Sequence, residues 1–132
     1  MVNTPRALTL SLLAGRYAVA KLAAGVAIPE SATQGEFVSI TRTSDELSLI
    51  TAERNVPAGA KVAEGWRVFK VHGPFEFTEV GVLASLTEPL AREKLAIFVV
   101  STFDTDYLLV REENLQAATK TLQRAGHLLL EI

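Results

Sequence analysis

The stretch IFVVSTFDTDYLLV, residues 97–110, decides the reading of the fold. Two runs rich in β-branched and aromatic residues flank a link in which Ser101, Thr102, Asp104, Thr105 and Asp106 crowd together. The pattern predicts two strands joined by a short turn. The polar density has two physical readings. It can be a hairpin turn whose side chains satisfy nearby backbone amides, or it can line a ligand pocket. LAIFVVS (95–101) is continuously apolar, which predicts a central strand buried on both faces. Thr105 to Val110 is the next strand.

Outward from this hairpin, WRVFKVHG (66–73) alternates as a strand does, and Trp66 is expected at the edge of the core. Thr78 is placed to cap a helix running through EVGVLASLTEPLAREK, with Val80, Leu83, Leu86 and Leu90 on one face. Pro89 lacks an amide hydrogen and should bend that helix. Gly81 inside the helix costs roughly 1 kcal/mol against Ala, which points to a steric need. ENLQAATKTLQRAG predicts a second helix with Leu115, Ala118, Leu122 and Ala125 facing inward and Gly126 as its stop. HLLLEI (127–132) closes with a strand. From Trp66 the order is βαββαβ, the ferredoxin-like unit.

The first half reads as a weaker version. LTLSLL (8–13) and RYAVAKLA (16–23) flank Ala14-Gly15 and predict a tight hairpin. A loop with at most a short helix over 28–34 follows, then strands FVSITRT (37–43) and LSLITA (47–52). FVSITRTSDELSLI (37–50) overlays residues 97–110 without a gap, placing Phe37 on Ile97, Thr41 on Ser101 and Glu46 on Asp106. An internal duplication with a degraded first copy is the expectation, with domains at 1–60 and 61–132 and the boundary in the turn-rich ERNVPAGAKVAEG. The fold class is α+β: tandem ferredoxin-like units, the first degenerate, built of antiparallel sheets with helices on one face.

Composition narrows the function classes. Hydrophobic residues make up 48% of the 132 and charged residues 21%, as in folded chains. The 13 basic residues are scattered and the net charge is −2, which argues against a nucleic-acid partner. Arg16 and Lys21 interrupt the apolar N-terminal region, so neither a membrane span nor a signal peptide is expected, and a cytoplasmic protein is. There is no cysteine to hold a metal or act as a nucleophile. His72 and His127 have no acid or second histidine at metal spacing, and no nucleotide-binding or hydrolase motif occurs. No enzyme activity, metal or cofactor is expected.

GPFEF, VGVLASLTEPLA, IFVVSTFDTDYLLV and REENLQAA together resemble the ACT domain, a small amino-acid-binding regulatory module. The phrase carried by Ser101, Thr102, Phe103, Asp106, Tyr107, Leu109, Val110 and Glu112 resembles the tandem-ACT group that includes the cytosolic arginine sensors of animals and their bacterial relatives. The resemblance covers residues 66–127 and, less closely, 8–53. It implies a non-enzymatic sensor that binds an amino acid, assembles as a homo-oligomer and acts on a protein target not identifiable from sequence. It also implies a site built from the loop His72–Phe77, the helix start and the end of strand 95–101. Its ligand-binding residues would be Gly73, Phe75, Glu79, Val80, Gly81, Ser101, Thr102, Phe103 and Asp106.

The residues support this in part by their own chemistry. A carboxylate at Asp106 suits an ammonium or guanidinium, helix-start amides suit a carboxylate, and glycine permits close backbone approach. The bland alternatives stand beside these: Asp106 as a turn acid, Ser101 and Thr102 as strand termination, Phe103 as a core plug. A rival function is a protein-interaction or dimerisation module with a degenerate pocket. An acylphosphatase-like enzyme would need an arginine after the first strand, and HGPFEF has none.

Overall fold

The computed structural model describes residues 7–130. In chain order the elements are β1 (Thr9–Leu12), β2 (Tyr17–Leu22), β3 (Ser39–Arg42), β4 (Leu47–Ala52), β5 (Lys61–Val71), α1 (Val82–Arg92), β6 (Ile97–Ser101), β7 (Asp106–Arg111), α2 (Leu115–Arg124) and β8 (Leu128–Leu130). Short 3-10 turns occur at Glu30–Thr33, Glu53–Asn55 and Glu112–Asn114. The chain divides into two compact units, one of residues up to Ala14 plus those from Arg67 onward, the other Gly15–Trp66. β5 starts in the second and ends in the first.

In the helix-bearing unit the strand order is β6-β7-β5-β1-β8. β1 is antiparallel to β5, with Leu10 opposite Val71, and parallel to β8, with Thr9 opposite Leu128. Apolar residues alternate along β1, β5 and β7, so Leu8, Leu10, Phe69, Val71, Leu108 and Val110 share one face. Val82, Leu86, Leu90, Ala118 and Leu122 of the two helices pack onto it. Fully burying a Leu or Val contributes roughly 1.5–3 kcal/mol, so this layer dominates the unit's stability. Gly126 stops α2 as the sequence requires: its φ is +98°, and the His127 amide turns back to the Leu122 carbonyl at 3.1 Å.

Four expectations are corrected. The runs 8–13 and 16–23 do form strands, but β1 pairs with β5 and β8, and β2 pairs with β4 and β5, so they make no hairpin with each other. β6 is an edge strand rather than a central one. It pairs with β7, Phe98 is 38% exposed, and its apolar run reflects Ile97 and Val99 packing on the core from one side. α1 begins at Val82, not after Thr78, and its buried stripe is Val82, Leu86, Pro89 and Leu90. Val80 is 91% exposed and Leu83 37%. Gly81 is the residue before the helix, at φ +84°, a conformation that costs other residues dearly; nothing lies within 4 Å of where its Cβ would be. Its reason is backbone conformation, not close packing.

The second unit orders its strands β3-β4-β2-β5, and Ala20, Ala32, Leu47 and Leu49 form one of its buried clusters. Its β3–β4 hairpin matches the β6–β7 hairpin, but with a shift of 59 residues, not the 60 of the sequence overlay. That shift carries Leu47–Ala52 onto Asp106–Arg111 and the 3-10 turn Glu53–Asn55 onto Glu112–Asn114. It also superposes two threonine-capped turns. Thr43 N donates to Glu46 O (2.9 Å) and Glu46 N to Thr43 Oγ1 (3.1 Å). Thr102 N donates to Thr105 O (2.7 Å) and Thr105 N to Thr102 Oγ1 (3.3 Å). A one-residue error matters because it exchanges the two faces of every strand. The true counterparts of Ser101 and Asp106 are Arg42 and Leu47.

Pro89 creates a problem that His127 solves. The proline has no amide hydrogen to give the Ser85 carbonyl one turn earlier. The imidazole of His127, 4% exposed, donates from Nε2 to that carbonyl at 2.8 Å. Its Nδ1 accepts the Leu8 amide hydrogen at 3.0 Å, which fixes the tautomer. One buried side chain thus joins α1, the start of β1 and the end of α2. His127→Phe should cost about 2–4 kcal/mol in chemical denaturation, because an amide and a carbonyl lose their partner together. In a Pro89→Ala background, where an amide can reach Ser85 O, the cost should fall by about 1 kcal/mol. Equal costs in both backgrounds would break the proposed link.

Candidate functional site

The site arises where β5 and β6 end on either side of the start of β7. After Val71 the chain leaves the sheet as the loop 72–81 and re-enters as α1; after Ser101 it makes the turn 102–105 and re-enters as β7. The two connections are tied. Phe75 N donates to Asp104 O at 2.8 Å, and Thr105 Oγ1 donates to Val71 O. Gly73 makes this approach possible: a Cβ there would lie 2.7 Å from the Asp104 carbonyl oxygen and 3.1 Å from Phe75 N. The loop is further folded by Glu79, whose Oε1 accepts the Glu76 amide at 3.0 Å.

Between the loop, the helix start and the turn lies an open cavity of about 370 Å³. Of the residues expected from sequence, it brings together Phe75, Glu79, Gly81, Ser101, Thr102, Phe103 and Asp106. Gly73 lies outside its lining and acts on the loop that forms it. Val80 is also outside, pointing to solvent, because the helix begins three residues later than a cap at Thr78 implied. Phe77 and Asp104 belong to segments expected at the site, whereas Val82, Leu83 and Ala84 were not anticipated as lining. The helical stripe would have exposed the error at Val80 had Val82 rather than Val80 been taken as its first member.

The chemistry of the cavity is two-poled. Asp106 is only 9% exposed, and Ser101 Oγ donates to its Oδ1 at 2.5 Å. Ser101 and Asp106 are direct cross-strand neighbours in the β6–β7 ladder. No lysine, arginine or histidine among the described residues forms an ion pair with Asp106. At the other pole, no side chain caps α1, and its first hydrogen bond runs from Ser85 N to Gly81 O (3.0 Å). The amides of Val82, Leu83 and Ala84 precede that bond, so they have no acceptor within the helix, and all three residues border the cavity. The lining holds four acids, Glu76, Glu79, Asp104 and Asp106, and no basic residue. Phe77 and Phe103 stand at its rim, edge to face with ring centres 4.8 Å apart, 76% and 78% exposed.

The second unit lacks this arrangement. Leu47, the counterpart of Asp106, is fully buried in the small core. Arg42, the counterpart of Ser101, donates from its guanidinium to the carbonyls of Ala24 and Val26 (2.8 Å to the latter). It thereby closes the loop after β2 onto the hairpin.

The helix-bearing unit is thus ferredoxin-like, with an open cavity between its first loop and second strand. Residues 61–124 match the family model of the ACT domain, and residues 15–59 match a second model describing an N-terminal domain. Residues 61–124 thus form an ACT domain. Among the relatives of the chain is Protein Atu0741 from Agobacterium tumefaciens, 46% identical over 95% of this chain and 93% of that one, with a TM-score of 0.89. The human cytosolic arginine sensor for mTORC1 subunit 1 is 36% identical over 62 residues, 46% of this chain. The match spans only 19% of that sensor's length. The regulatory subunit of aspartate kinase from Thermus thermophilus shares the fold alone, at 11% identity over 90% of this chain and 99% of that one, TM-score 0.64.

Gly73→Ala should force the loop away from the Asp104 carbonyl. Hydrogen exchange should show the Phe75 amide losing its protection, with a stability loss of about 1–3 kcal/mol. An unchanged Phe75 exchange rate would mean that the tie does not depend on Gly73.

Proposed function

We propose that this chain is a non-enzymatic regulatory protein that binds a free amino acid in the cavity between the loop 72–81 and the turn 102–105. The observation that carries this reading is Asp106. A carboxylate buried to that degree needs more than one hydroxyl to offset its desolvation. A ligand cation placed against its second oxygen would supply the missing charge through a charge-assisted hydrogen bond. The uncapped amides of Val82, Leu83 and Ala84 suit the carboxylate of the same ligand. A zwitterion satisfies both poles, whereas a sugar leaves the charge unmet and a nucleotide brings phosphates toward four acids.

The acidic lining adds a preference. With Glu76, Glu79 and Asp104 also bordering the cavity and no base among its lining, an amino acid with a second positive charge on its side chain is favoured over a neutral one. The faces of Phe77 and Phe103 suit such a cation or its aliphatic stem. The likeness to the human cytosolic arginine sensor makes arginine the first ligand to try.

The reading includes self-association and a cytoplasmic setting. β6 leaves an open edge, and Phe77, Val80 and Phe103 expose apolar surface around the cavity, so a second copy or a target protein could cover both. The same exposed rim favours the rival reading, an interaction module whose cavity takes no ligand. No helix among the described residues is long and apolar enough to cross a membrane.

A thermal-shift screen of the twenty amino acids separates the two readings. A ligand at 100 times its dissociation constant stabilises by roughly 2.7 kcal/mol, and arginine or lysine should lead. Asp106→Asn keeps an acceptor for Ser101 but removes the charge. Calorimetry should then show affinity reduced about 10- to 150-fold, the equivalent of 1.5–3 kcal/mol. An Asn variant that binds as well as the parent would remove Asp106 from the site, and a silent screen would favour the interaction module. Light scattering across a wide concentration range tests the assembly; a mass that stays near the 14.3 kDa of one chain would exclude self-association.

A further inference from the structure

The face of the helix-bearing unit away from its helices carries a second cavity that the amino-acid reading does not use. It measures about 360 Å³ and is bordered by Lys70, His72, Thr102, Asp104, Thr105 and Tyr107. We propose that this cavity binds a singly charged carboxylate anion, with Lys70 and His72 as its ligands.

The argument begins with strand register. Phe69 and Val71 point into the helix-covered core, so Lys70 between them projects to the other side. Ser11 lies opposite Lys70 in the β1–β5 ladder and shares that side. Ser11 Oγ and His72 Nε2 are 2.9 Å apart. With the hydroxyl donating to Nε2, the ring carries its hydrogen on Nδ1, a second donor for an anion. Val71, pointing inward, is held by the Thr105 hydroxyl on its carbonyl, which fixes the backbone on which Lys70 and His72 stand.

Charge bookkeeping then selects the ligand class. Lys70 is half-buried and makes no ion pair among the described residues. Lys70 and His72 therefore border a cavity whose lining includes no anion other than Asp104. Asp104 gives its backbone carbonyl to Phe75 and is exposed, so its side chain is hydrated. Its charge nevertheless opposes a second negative charge nearby, and that disfavours a phosphate dianion against a monoanion. The donor set differs in sign from the four-acid cavity across the same turn, so the two cavities select opposite charges. Thr102, Asp104 and Thr105 border both.

The experiment uses the only two histidines of the chain, with the buried His127 as an internal reference. Imidazole carbon–proton signals of the whole protein are followed while sodium acetate is added at fixed pH and ionic strength, with chloride as the balancing anion. No amino acid is present, so the outcome does not depend on the other cavity. Saturable movement of the His72 signals with His127 still is expected. Lys70→Met should weaken the apparent acetate affinity about tenfold or more, while leaving the His127 signals in place as proof of an intact core. Three results would overturn the proposal: no saturable change with acetate, the same response to chloride, or an unchanged affinity in Lys70→Met. A tighter response to inorganic phosphate than to acetate would overturn the assignment to a carboxylate.

Discussion

The helix-bearing unit depends on a hydrogen bond that cannot form. Proline at position 89 withholds an amide from the Ser85 carbonyl in the middle of α1, and a carbonyl buried without a partner is costly. His127 supplies the donor, and by accepting the Leu8 amide on its other nitrogen it brings the start of β1 to the same place. Helix position, strand insertion and the end of α2 are therefore set by one imidazole. That explains why a histidine stands in the core. It also gives α1 a fixed height along the sheet, and with it a fixed place for the uncapped amides at the mouth of the cavity.

The cavity exists because two connections are tied at one point and left apart at another. The Phe75–Asp104 backbone bond and the close approach at Gly73 hold the loop against the turn. On one side of this tie, small side chains, Ser101 and Thr102, leave room in front of Asp106. In the Gly15–Trp66 unit the same hairpin, with the same threonine-capped turn, has a long arginine where the other has serine. Its guanidinium reaches the carbonyls of Ala24 and Val26 and closes the gap from within. Replacing the acid by Leu47 makes the change complete, since that position now serves the core. Two copies of one hairpin have thus been put to different physical uses.

How much of this the residues alone disclose depends on the scale of the interaction. Strands from Trp66 onward, both helices and the stop at Gly126 follow from periodicity and local backbone preference, which the sequence states directly. The start of α1 does not, because Thr78 offers good capping chemistry while Gly81 offers the left-handed backbone that the chain in fact uses. β6 reads as central because an apolar run carries no record of how many neighbours it has. The duplication is visible, but its register is off by one, since alternating apolar residues overlay almost as well at neighbouring shifts. Only the threonine turns and the paired 3-10 turns resolve it. Asp106, Ser101 and Thr102 stand out as a polar cluster, whereas the bond between Ser101 and Asp106 requires the strand pairing to be known. The pairing of Ser11 with His72, from segments far apart in the chain, leaves no local trace.

The insertion of β1 between β5 and β8 has a consequence for synthesis. Thr9 lies beside Leu128, and β8 has β1 as its neighbour in the sheet. A chain made from its N-terminus produces β5 and α1, which pair with β1 and pack with Leu8 and Leu10, well before β8 can close the other edge of β1. The Gly15–Trp66 unit is continuous in sequence and can close while translation proceeds. The helix-bearing unit can only close afterwards, because its longest-range contacts are also the ones that lock it. In the interval β1 keeps one edge unpaired, the kind of surface that holding chaperones bind.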